Sequence, residues 1–202
     1  MRIEGQAGPQ VLADGAIVTP RLIRSGELAV SEVHGRYAEQ AVRGATFLAA
    51  TTAGVATSAV GTAATGIVIS NPAGSGINVV ILEFTYAYTA APTAVAALVL
   101  EAQVNPIATA TVHTTPLIVR PALIGGGASP RALVDSSATL GAAGVIVRAV
   151  TAGVTAVGFP GAVGKDEIAG AIVLSPGTAL STAGVTNQST CIFSLTWEEV
   201  PV

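Results

Sequence analysis

The chain has 202 residues, nine basic and twelve acidic side chains and a formal net charge of −3; half of it is hydrophobic, yet only 4% is aromatic and 10% charged. The acidic balance argues against a dedicated nucleic-acid binder. A single cysteine, Cys191, excludes an intrachain disulfide and a cysteine zinc cluster, and no apolar run reaches the ~18 residues of a membrane-spanning helix.

The same figures bear on the surface. A monomer of 19.9 kDa is expected to expose roughly 8,700 Å². Soluble surfaces carry about 25–35% charged residues, and the few charges here cover about a quarter of that area at ~100 Å² each. The remaining surface is Ala, Val, Thr, Ser and Gly, or is covered by other chains. Contiguous apolar surface usually marks an interface, so the composition is that of an assembly subunit.

In chain order, residues 1–43 come first and hold ten of the charges, among them five arginines. We read 1–43 as an arm and 44–202 as the body. MRIEGQAG lacks the apolar core of a signal peptide, which places synthesis in a cytoplasm. Gly5, Gly8, Pro9, Gly15, Pro20, Gly26 and Gly35 punctuate the arm and defeat a long helix, so it is read as mostly extended. Residues 26–42 also admit a helix broken at Gly35. Arg21, Arg24, Arg36 and Arg43, with Tyr37, supply forked donors and a stacking ring for a partner protein, or simply solvate a loose terminus.

The body reads as strands at 66–70, 78–88, 93–104, 108–115, 143–151, 167–175, 178–183 and 190–200, rich in Val, Ile and Thr and separated by Pro, Gly and Asn. Between the first two lies NPAGSG, residues 71–76. A phosphate loop needs a Lys and a Ser/Thr after its last glycine and then a helix. Here Ile77 and Asn78 follow, then a β-rich run, so the segment is a turn, expected to close a hairpin. SPRALVDSS, residues 129–137, offers a Ser cap followed by Pro and predicts a short helix. In the last strand, Cys191, Phe193, Leu195 and Trp197 share one face, with Trp197 as the apolar anchor and Pro201 as the stop.

Catalytic constellations are sparse. The two histidines, His34 and His113, neighbour no nucleophile motif, and Cys191 reads as a buried inert thiol. Asp166–Glu167 and Glu198–Glu199 are strand neighbours pointing to opposite faces. Glu83 and Glu101 sit within apolar strands. They either pair across a cleft, as a hydrolase needs, or meet arginines such as Arg120, Arg131 or Arg148 at a subunit contact. Glu83, Glu101, Arg120, Arg148 and Trp197 are therefore the subunit-interface candidates. No metal spacing occurs and no cofactor is expected, although calcium on loop carbonyls with Asp135 or Asp166 stays open.

Three stretches, HGRYAEQAVRGATFLAAT (34–51), TGIVISNPAGSGINVVILEFTYAY (65–88) and EIAGAIVLSPGTALSTAGVTNQSTCIFSLTWEEVPV (167–202), together resemble a group of tailed-bacteriophage virion structural proteins. The resemblance spans most of 34–202 and leaves out 1–33. It implies a jelly-roll decoration (cement) or head-fibre subunit and carries over no catalytic residue. The expectation is an antiparallel jelly-roll or β-sandwich of about eight strands with an extended N-terminal arm, assembled as a homotrimer. It would bind the major capsid protein on the virion surface and neither nucleic acid nor membrane. A tail fibre or receptor-binding component is the alternative, and a virion-associated hydrolase a further one.

Overall fold

The computed structural model describes residues 35–92, 94–103, 112–153 and 163–202. The chain divides into two compact units, Met1–Ala38 and Glu39–Val202; nearly all of the first lies outside the described residues, with Arg21 and Arg24. Described elements are one short helix, α1 (Ala38–Val42), and twelve strands: β1 (Thr46–Ala50), β2 (Val55–Ala56), β3 (Ala63–Asn71), β4 (Ile77–Ala90), β5 (Ala96–Gln103), β6 (Val112–Pro116), β7 (Val119–Pro121), β8 (Leu133–Thr139), β9 (Val145–Gly153), β10 (Val163–Leu174), β11 (Thr178–Val185) and β12 (Thr190–Pro201). The described end of the expected arm is thus a helical turn after Gly35, not extended chain.

The strands form two antiparallel six-stranded sheets. Sheet 1 runs β10-β4-β12-β1-β7, with β2 paired to the start of β12, and sheet 2 runs β6-β8-β3-β11-β5-β9. The sheets face each other across one apolar core. Val79, Ile81, Phe84, Phe193 and Trp197 come from sheet 1, and Ile69, Leu98, Leu100, Val134 and Leu180 from sheet 2. Alternation along β12 buries Cys191, Phe193, Leu195 and Trp197, as its sequence predicts. Trp197 stacks on Phe47 at 6.0 Å between centroids, and Phe84 on Phe193 at 6.0 Å. Desolvation pushes the Cys191 thiol up to about 12, which keeps it protonated and unreactive at neutral pH.

NPAGSG is a turn, but not a hairpin: β3 lies in sheet 2 and β4 in sheet 1, so it carries the chain across the sandwich. Ser75 N–H closes it on the Pro72 carbonyl at 3.1 Å, and Gly74 and Gly76 hold φ of 75° and 71°. The buried Asn71 side chain donates to the Ile77 carbonyl (2.8 Å) and to the Leu174 carbonyl (2.9 Å), and accepts from Ser75 Oγ (2.6 Å). Its backbone carbonyl accepts from Gly177 N–H at 2.7 Å. One side chain thereby fastens two crossings, β3–β4 and β10–β11.

Residues 129–137 are not helical. Glu199 at the end of β12 accepts the amide protons of Arg131 and Ala132 at 2.9 Å, the donors a helix start would have left open. The chain then extends into β8, which places Val134 in the core.

Sheet 2 also buries part of its outer face. Ala64, Val68, Ala138, Leu140 and Ala179 form a small second core there. Residues 58–62 and 140–144 fold over it, joined by Leu140 N–H to the Thr62 carbonyl and Gly144 N–H to the Gly61 carbonyl.

Candidate interaction surfaces

The two glutamates of the supposed cleft pair stand on opposite outer faces and do not converge. Glu83, on the outer face of sheet 1, is half-buried and holds Lys165 Nζ at 2.8 Å. Glu101, beneath the loops covering sheet 2, is wholly buried; it accepts from Ser181 Oγ at 3.0 Å and from Gly61 N–H at 3.1 Å. Burial raises its carboxyl above the ordinary value, opposed by those two hydrogen bonds. Neither Glu101 nor Trp197, which is 0% exposed, has a side chain that reaches a subunit contact. Among the described residues no group of three His, Cys, Asp or Glu could hold a metal ion.

Arg148 binds within the chain. From β9 in sheet 2 its Nε and Nη2 donate to the Asp166 carboxylate on β10 in sheet 1, at 2.6 and 2.7 Å. This two-pronged contact ties the sheets together along one flank and, through the Asp166 hydrogen bond, lifts the guanidinium further above its ordinary value. Beside it, Val145, Ile146 and Val147 of β9 and Val173 of β10 are exposed. At the described base of the arm, Arg36 lies 5.5 Å from the Tyr37 ring centre, and Arg43 pairs with Glu39 at 2.8 Å on exposed helix surface.

Arg120 is exposed. It borders a groove of about 750 Å³ lined by Leu48, Ser194 and Thr196 of sheet 1, Thr115 and Ser136 of sheet 2, and Ile118 and Ile124. Ile118 is 70% and Ile124 77% exposed. Arg120 has no ion-pair partner among the described residues. Within PLIVRPALIGGG, 116–127, the sequence singles out Arg120 alone, and the groove beside it carries no motif of its own. The sequence signal is five large aliphatic side chains, Leu117, Ile118, Val119, Leu123 and Ile124, in a segment with too many prolines and glycines to form a long strand.

No family model, no curated protein and no solved structure matches the chain.

Proposed function

We propose that the chain is a structural subunit of a tailed-phage virion: a decoration (cement) protein that binds the assembled capsid as a homotrimer. In this reading the sandwich is a jelly-roll body and residues 1–43 are an arm that clamps neighbouring capsid subunits. The observation that carries the proposal is the aliphatic surface. Ile118, Leu123 and Ile124 on one side, and Val145, Ile146 and Val147 along β9, stand in water on a body with very few charges. Such surface favours association with protein. A partner that binds only the assembled shell stabilises it by mass action, and threefold repetition adds avidity without new chemistry.

Imaging of whole particles tests the proposal: density for this chain over the capsid lattice supports it, and density at the tail tip defeats it. Sedimentation of the purified chain is expected to give a trimer. Deleting residues 1–43 is expected to leave a soluble trimer that no longer binds shells; full-affinity decoration by the truncated body would refute the clamp.

A further inference from the structure

A second cavity, of about 450 Å³, opens where β6, β7 and β8 meet, in the size range of ligand sites. Its walls are Pro116, Leu117, Pro130, Ala132 and Val134. The polar side chains on its lining are His113 and Asp135. The Asp135 side chain is 1% exposed and that of His113 26%. His113 Nδ1 is hydrogen-bonded to Asp135 Oδ2. Oδ1 of the same carboxylate is buried and has no hydrogen-bond partner among the described residues.

A buried carboxylate oxygen without a donor is costly, by about 1–3 kcal/mol or more. A ligand that satisfies it has to carry a donor past the cavity's apolar walls. That requirement describes an ammonium on a hydrocarbon stem. A guanidinium fits less well: its advantage is a fork that takes both carboxylate oxygens, and His113 already holds one. The chain's single lysine, Lys165, lies on β10 and is held by Glu83 at 2.8 Å. We propose that this cavity is a socket for a lysine side chain of another protein, its stem lying against the proline and aliphatic walls and its ammonium donating to Asp135 Oδ1. The socket does not depend on where on a particle the chain resides.

The test is a titration of the full chain with N-acetyl-lysine methylamide, read by the His113 imidazole NMR signals and by melting temperature. Controls are the Nε-acetylated analogue, N-acetyl-arginine methylamide and putrescine at matched ionic strength. The lysine derivative is expected to give a saturable response. The arginine derivative should bind about tenfold more weakly, the loss of one hydrogen bond to a charged group. Putrescine should also bind more weakly, because its second ammonium would rest in the apolar mouth. Asp135→Asn is expected to abolish the response. Should that variant fail to fold, Leu133→Lys, two residues away along β8 at an exposed position, serves instead. It supplies an ammonium from within, and is expected to raise the melting temperature and silence the titration. No saturable response, an equal response to the acetylated analogue, or an undiminished one in either variant overturns the socket. Tighter binding of putrescine than of the lysine derivative overturns the protein partner in favour of a free polyamine.

Discussion

Gly66 offers the sharpest test of the packing described above. It lies in β3 at φ 117°, where the β3–β8 register shifts between Thr65 and Val68. A methyl group there would stand 2.0 Å from Thr182 Oγ1 and 3.2 Å from Phe193 Cε2. Thr182 Oγ1 is already engaged, accepting from Ile67 N–H at 3.0 Å and donating to the Thr65 carbonyl at 3.3 Å. Gly66→Ala therefore adds about 1–3 kcal/mol of backbone strain. It also displaces a hydroxyl whose loss leaves the buried Ile67 amide unsatisfied, a further ~1–3 kcal/mol. The expected total is about 2–6 kcal/mol, a large fraction of the ~5–15 kcal/mol that holds a typical domain. Urea unfolding followed by Trp197 fluorescence measures it, since Trp197 is the sole tryptophan and is buried. At about 2 kcal/mol per molar urea the midpoint should fall by about 2 M. Removing the obstructing hydroxyl couples the two sites: Gly66→Ala with Thr182→Ala should be less destabilising than the sum of the single changes by at least about 1 kcal/mol. A cost below about 1 kcal/mol for Gly66→Ala, or strict additivity, would refute the reasoning.

Three further outcomes follow from named contacts. Glu101→Gln should flatten part of the pH dependence of stability. A carboxyl raised by burial keeps its proton longer in the folded state, so the wild type loses stability as pH rises from the ordinary carboxylate value through the raised one. The slope is no steeper than about 1.4 kcal/mol per pH unit. The difference between wild type and variant in denaturant titrations across that window isolates the effect, and a constant difference would count against it. A double-mutant cycle on Arg148→Ala and Asp166→Ala should give a coupling of about 1 kcal/mol, discounted for the partial exposure of Arg148, and a coupling near zero would remove the cross-sheet tie. Ile118→Asp with Ile124→Asp should abolish self-association in sedimentation while leaving the melting temperature within a few degrees, because both side chains already stand in water. Unchanged association would exclude the groove from the subunit contact.

The strand pattern was legible where burial alternates. In β12 the large apolar residues recur at every second position, and the observed burial follows them. The elements that escaped the reading have weaker local signals. TFLAA of β1 is half alanine and threonine, β2 is two residues long, and β7 ends in a proline. β8 was misread because its lead-in, SPRA, has the form of a helix start. The carboxylate of Glu199, far along the chain, takes up the amides on which that reading relied. The hairpin reading of NPAGSG failed for a related reason: turn residues specify a reversal, but which sheet receives the next strand depends on long-range contacts such as Asn71 with Leu174. Arg148 and Glu83 were recognised as charges needing partners; their partners, Asp166 and Lys165, are neighbours on one strand that sequence spacing could not bring to them.

The edges of the sandwich constrain how such a body can associate. An unpaired edge strand invites pairing with another chain unless it is short, bulged, charged or ended by proline. Each described edge has one or more of these features. β10 is broken by a register shift between Glu167 and Ile172, with Ala169 and Gly170 at φ 53° and 85°, and displays Lys165 and Glu167. β7 is three residues long and ends at Pro121; β6 ends at Pro116 after two register shifts against β8. β9 carries two shifts against β5. Continuous sheet extension from one copy to the next is therefore disfavoured at each described edge, and the exposed aliphatic side chains are left as the better means of contact. Contacts through side chains select a partner by shape and can close into a ring, whereas strand addition can repeat without end. The decoration subunit proposed above would need the first kind of association, because uncontrolled strand pairing would consume the protein before any shell had formed.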